Sequence, residues 1–104
     1  MSNDKFIVGN TITLVCEVKE IIESKDVIKK DGKIVRMTKF MVNEGFNQIP
    51  LCIFGWFSTI IKVGYMLDLK NVYVSEYNGV KYITLGKHGS CDILNDFKDG
   101  TDVI

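Results

Sequence analysis

The stretch YMLDLKNVYVSEYNGVKYITL, residues 65–85, restricts the fold more than any other part of the chain. Leu67 and Leu69 are apolar at odd positions, whereas Val72 and Val74 are apolar at even ones. Side chains of a strand alternate between its two faces, so a change of parity within one strand requires an extra residue. That residue falls near Lys70 or Asn71, and the resulting β-bulge bends the strand. Asn78-Gly79 follows, flanked by alternating apolar residues, which is a strong hairpin signal because both residues tolerate positive φ. A bent strand joined to its neighbour by a tight turn is what a sheet needs in order to close on itself.

The rest of the chain also has strand periodicity. In TITLVCEVKEI, Ile12, Leu14, Cys16 and Val18 share one face, and the segment is long enough to bend. Asp-Gly within KKDGK, residues 29–33, marks a hairpin, and IVRMTKFMV follows as a second strand whose parity is ambiguous at Phe40, Met41 and Val42. After the turn NEGFN, the third strand QIPLCIF turns Ile49, Leu51 and Ile53 one way and Gln48, Pro50, Cys52 and Phe54 the other. Pro50 cannot donate to a ladder, so an edge or a bulge is expected there. GWFSTIIKVG breaks the alternation and is too short for a full helix, which predicts one helical turn or an irregular connection between the third and fourth strands. In the fifth strand, VKYITLG, Ile83 and Leu85 point inward and Tyr82 and Thr84 outward. Five short strands and one bulge predict an all-β, five-stranded Greek-key barrel of the OB type, with a six-stranded open barrel or small sandwich as the competing architecture.

With 104 residues the chain has room for one domain, placed at 5–94, with a loose acidic tail at 95–104. No apolar run reaches the roughly 20 residues of a membrane span, and the first residues lack the basic-then-apolar order of a leader, so an intracellular protein is expected. Cys16, Cys52 and Cys91 are widely spaced without a C-x-x-C pair, and His88 is the only histidine. Small buried hydrophobes in a reducing compartment are expected, and neither a metal site nor a cofactor. Thirteen basic residues balance thirteen acidic ones, but unevenly along the chain. Lys25, Lys29, Lys30, Lys33, Arg36 and Lys39 outnumber Asp26 and Asp31 in one stretch, while Asp92, Asp96, Asp99 and Asp102 outnumber Lys98 near the end. The first region is suited to phosphate and the second is not. No nucleophile elbow, phosphate loop or metal-ligand spacing occurs, so the chain is not read as an enzyme.

From Gln48 to Ser90 the sequence resembles the OB-fold single-stranded DNA-binding family, which includes the DNA-binding domains of replication protein A and the OB-fold subunit of the SOSS complex. The resemblance lies in IPLCIF, IIKVG, MLDLKNVYVSEYNG, YITLG and GKHG, with DGKIVRMTKFMVNEG similar to the family's second strand and following turn. It implies that Phe54 occupies the position of the aromatic that closes the third strand and stacks on a base. Tyr77 occupies a second stacking position, before the last turn. The family's third aromatic position holds Thr84 here; Tyr82, on the same outward face, can substitute for it. The implied role is single-stranded nucleic-acid binding, DNA foremost, in replication, repair or telomere maintenance in the nucleus. Protein partners in a larger complex are implied, and no membrane or small-molecule substrate.

Single-strand binding needs aromatic faces, worth about 1–3 kcal/mol per stacked base, and a cationic rim. Phe54, Tyr77 and Tyr82 are the candidate platform. Lys29, Lys30, Lys33 and Arg36 on the first hairpin form one candidate wall, and Lys81, Lys87 and His88 lie near the other. Other readings stand beside these. Phe54 also suits the closed end of a barrel core. Tyr77 and Tyr82 also suit a cross-strand pair that stabilises only its own hairpin. The lysines also suit a solvated turn. Trp56, Phe57 and Phe46 fit either core or a partner surface, with Trp56-Phe57 as an anchor for another subunit. The alternative function is thus an OB-fold scaffold subunit that contacts protein.

Overall fold

A computed structural model describes residues 5–86 and 88–94, so the expected tail at 95–104 and Lys87 lie outside the described residues. The strands are β1 (Thr11–Ile28), β2 (Ile34–Glu44), β3 (Asn47–Phe54), β4 (Met66–Tyr77), β5 (Val80–Thr84) and β6 (Ser90–Ile93). A 3-10 turn at Trp56–Ile60 connects β3 to β4. The sheet order is β1-β2-β3-β5-β4-β6, and β1 also pairs with β4, so five strands close a ring and β6 extends β4. β3 and β5 run parallel and close the ring through only Leu51↔Ile83 and Cys52↔Thr84. The expected five-stranded barrel with a helical turn after its third strand is therefore the observed architecture.

The alternations set the core. Leu14, Cys16 and Val18 of β1, Phe40 and Val42 of β2, and Ile49, Leu51 and Ile53 of β3 are buried, joined in the cluster by Leu67, Leu69, Val72, Val74, Ile83, Phe6 and Ile61. The parity change in β4 is real. Ile12 faces Val72 and Leu14 faces Leu69, so Thr13 alone opposes Lys70 and Asn71. Asn71 takes a φ of 56°, and its amide is held by the Thr13 hydroxyl at 3.2 Å. Pro50 sits at an edge and not at a bulge. The β2–β3 register runs unbroken through Met41↔Pro50, while the β5 side of β3 is unpaired until Leu51.

β1 reaches ten residues past Val18, and with β2 it forms an arm beyond the ring. Two register shifts, between Val18 and Glu20 and between Ile21 and Glu23, twist this arm. The β2 parity that looked ambiguous resolves with Phe40 and Val42 on the core face and half-exposed Met41 on the outer one. Met37 lies on the side opposite the core as well, while Thr38 donates to the Ser58 hydroxyl at 2.9 Å. Ser58 in turn donates to the Gly55 carbonyl at 2.8 Å, which ties the 3-10 turn to the base of the arm. Phe6 is also buried, as part of a segment that exchanges Gly9 N–H to Val74 O and Val74 N–H to Asn10 O, both at 2.9 Å.

Candidate nucleic-acid interface

The face of β2, β3 and β5 turned away from the core forms a groove of about 540 Å³. Strand registers order its floor into rows across the sheet, because residues directly opposite one another point the same way. Met37 faces Phe54 in the first row. The second row is Glu23, Lys39, Cys52 and Thr84, and continues to Tyr73. In the third, Met41 faces Pro50 across β2–β3, and Tyr82 of β5 faces Ser75 of β4. Tyr77 and Asn78 rise at the end of the β4–β5 hairpin, and Val80 pairs with Tyr77. The hairpin turns through Asn78 and Gly79 at φ 54° and 79°, the backbone that an Asn-Gly pair permits.

Of the proposed stacking residues, Phe54, Tyr77, Tyr82 and Thr84 all line this one groove. Phe54 is 52% exposed and Tyr77 72% exposed, so neither ring is core. Tyr77 and Tyr82 are not directly opposed, since their partners are Val80 and Ser75. Phe54 also borders a second, smaller recess that it shares with Ile53, Phe57, Leu85 and Cys91.

The cations divide into distinct sets. Lys29, Lys30 and Lys33 sit exposed at the tip of the β1–β2 arm, where Lys29 N–H donates to Lys33 O at 2.8 Å. Arg36 is on the reverse of the arm: it pairs with Asp26 at 3.2 Å and contacts the Ser24 hydroxyl at 3.4 Å, on the Thr38 side. Lys81 lies between outward Val80 and Tyr82 and turns away from the groove, donating to the Phe6 carbonyl at 2.7 Å. His88 is exposed in the turn before β6. In the sequence Lys39 counts within the basic stretch suited to phosphate but has no place in the candidate site; only its register with Cys52 places it on the groove floor.

Trp56 is 73% exposed, while Phe57 is half-buried against the core, its ring edge-on to Trp56 at 6.2 Å between centroids. Phe46, fully exposed, stands at the β2–β3 turn.

Burial raises all three thiols. Cys52 is raised by desolvation, against the opposing pull of Lys39. Cys16 and Cys91 are pushed up to about 12, again chiefly by burial, with Cys91 and Glu44 adding to it for Cys16 and Asp92 and Asp68 for Cys91. A folded pKa above the unfolded 9.0 means that the unfolded chain releases its proton first as pH rises. The stability these neutral thiols contribute is complete below pH 9.0 and is lost towards pH 12. The stability advantage of the native chain over Cys16→Ala, measured by urea unfolding, is therefore expected to shrink between about pH 8 and about pH 11. A constant difference would contradict this.

A closed five-stranded ring, with a groove across β2, β3 and β5 flanked by the β1–β2 and β4–β5 hairpins, defines an OB domain. Solved structures agree. The second OB-fold domain of replication protein A from Methanococcus maripaludis superposes with a TM-score of 0.70 at 16% identity, covering 92% of this chain and 97% of that one. A replication factor A related protein from Methanobacterium thermoautotrophicum gives 0.69 at 12% identity, covering 86% and 84%. An OB domain from Thermoplasma acidophilum gives 0.70 at 15% identity, covering 83% and 76%. No protein-family model matches the chain, and no curated protein does. The OB fold implied by the sequence resemblance is thus the fold observed.

Proposed function

We propose that this OB domain binds single-stranded nucleic acid, DNA foremost, by stacking bases on groove aromatics beside a cationic arm. The observation that carries the reading is the placement of Phe54, Tyr77 and Tyr82 in one open groove, with Phe54 half-exposed at the end of β3. An aromatic ring left in solvent on a rigid strand suits a flat ligand, and bases offer such faces with little sequence preference. The arm fits the same ligand. Glu23 engages Lys25 at 3.1 Å and Asp26 engages Arg36 at 3.2 Å; at the tip Asp31 accepts the Lys33 backbone N–H at 3.0 Å, and Lys29, Lys30 and Lys33 have no ion pair with any described residue. Two of the similar structures are replication protein A relatives, in keeping with a role wherever single strands are exposed in replication, repair or telomere maintenance. An intracellular, nuclear protein acting within a larger complex follows from this reading, as does a binding module in place of an enzyme. The one thiol of the groove, Cys52, has its pKa raised by burial, which disfavours the nucleophilic thiolate.

Titration of a fluorescein-labelled oligo-dT with the protein tests the proposal. The expected result is saturable binding that weakens steeply with salt. Replacing Lys29 and Lys30 together by Ala is expected to flatten the slope of log K against log salt, by about 0.7 per lost phosphate contact on a single strand. No binding at low salt would reject the proposal. The second reading, a scaffold subunit, rests on Trp56, 73% exposed in the 3-10 turn and absent from the groove lining. It predicts that Trp56→Ala abolishes partner association and leaves oligo-dT binding intact.

A further inference from the structure

The groove separates its aromatic surfaces into two ends. Phe54 and Pro50 are four residues apart on β3, about 13 Å at roughly 3.3 Å per residue. Tyr82 belongs to the Pro50 end: Cys52 faces Thr84 across β3–β5, so Tyr82, two residues before Thr84, lies level with Pro50. Bases stacked as in a duplex advance only about 3.4 Å per nucleotide, so directly stacked neighbours do not span both ends. A strand that reaches both must carry an internucleotide phosphate across the row between them.

That row consists of Glu23, Lys39, Cys52 and Thr84. Glu23 is committed to Lys25 at 3.1 Å, although Lys39 stands opposite it in the ladder. Lys39 has no ion pair with any described residue and is half-buried among Met37, Pro50, Cys52 and Phe54. A cation partly withdrawn from water and lacking a carboxylate gains most from an anionic ligand. Thr84, across the ladder from buried Cys52, also lines the groove and carries a hydroxyl that can serve as a second donor.

We propose that Lys39, assisted by Thr84, seats a phosphodiester of the intervening strand between a base on Phe54 and a non-adjacent base on Tyr82. The site therefore recognises a short phosphodiester-linked strand and not isolated bases or nucleosides. This rests on the proposed single-strand binding. Lys39 is the central anion seat, and the lysines at the arm tip act only on the flanking strand.

The test compares the native chain with Lys39→Met, which keeps the apolar stem, and Lys39→Arg, which keeps the charge. Lys39→Gln supplies the same charge loss should the methionine variant not fold. Binding to a short oligo-dT is followed by anisotropy at several salt concentrations, with one central phosphodiester replaced by a neutral methylphosphonate in a parallel series. The expected result for Lys39→Met is a salt slope smaller by about 0.7 units. Lys39→Arg is expected to retain the native slope, and the neutral linkage to weaken the native chain but not Lys39→Met. An unchanged slope in Lys39→Met, or equal weakening of both proteins by the neutral linkage, would overturn the proposal while leaving single-strand binding standing. If the native chain binds no oligo-dT at low salt, the underlying reading fails first and the proposal with it.

Discussion

Phe54→Ala is expected to bind a short DNA single strand about 5- to 150-fold more weakly than the native chain, the equivalent of one stacked base at about 1–3 kcal/mol. The same variant is expected to unfold at nearly the native denaturant concentration. The two expectations separate platform from core. Phe54 is 52% exposed and lies outside the core cluster formed by its neighbours Leu51 and Ile53. Truncation therefore removes little buried surface and opens no interior cavity, which keeps the stability cost near that of an ordinary surface change, about 0.5 kcal/mol. Its position in the groove is fixed by its β2 partner Met37, itself nearly buried, so the ring is held in place before a ligand arrives. Preorganisation of this kind lowers the ordering cost of binding. Anisotropy titration and a urea melt on one preparation measure both effects. Native affinity in the variant, or a collapse of its stability, would remove Phe54 from the platform.

Phe40→Ala is expected to show the opposite pattern, a loss of about 3–5 kcal/mol of stability. Phe40 is fully buried at the centre of β2, facing Ile21 of β1 and Leu51 of β3. Its ring fills the space where the arm meets the barrel, and the surrounding strands are held by ladder pairing on both sides, so the site can collapse only partly. Single domains are stable by about 5–15 kcal/mol, so this one change brings the protein close to unfolding at ambient temperature. A urea or guanidinium melt measures it. A loss below about 1 kcal/mol would mean that the ring of strands is not packed around Phe40.

Much of this architecture could be read from local pattern. The alternation in β1 and β3 put Ile12, Leu14, Cys16 and Val18 on one face and Ile49, Leu51 and Ile53 on another; all of these are buried in the core except Ile12, which packs against it half-exposed. The parity change in β4 located the bulge opposite Thr13, and Asn78-Gly79 located the last hairpin. These features depend on the period of a strand and on the φ preferences of a few residues, both of which are local. What depended on pairing between distant strands was not legible. Lys39 and Arg36 belong to one basic run, yet their odd spacing on β2 places Lys39 in the groove and Arg36 on its reverse with Asp26. Lys81 is adjacent to Tyr82 in sequence but reaches Phe6 on the other side of the strand. The two register shifts in β1 left no mark in a segment whose polar residues fall on both faces. β6 is only four residues long and gains its strand character from Leu67, Asp68, Leu69 and Lys70 across the ladder. Trp56 and Phe57, adjacent in sequence, separate into an exposed ring and a half-buried one because the 3-10 turn packs on the core through only one side.

The division between groove and reverse face is the core of the account. In the proposed function this division lets a chain with no net charge offer a local surface to a polyanion. Charge is balanced over the whole molecule, but Glu23 and Asp26 are paired with Lys25 and Arg36, while Lys39 on the groove floor has no ion pair with any described residue. Phosphate binding needs cations at the rim of a groove, and in the proposed function the aromatic floor would supply the remaining affinity.

A backbone-amide chemical-shift map, recorded with and without a short oligo-dT at low salt, tests this division most directly. The account predicts perturbations concentrated at Met37, Lys39, Cys52, Phe54, Tyr77, Tyr82 and Thr84, extending to the arm tip. Shifts confined to the Trp56–Ile60 turn and the reverse of the arm, or no shifts at all, would contradict it.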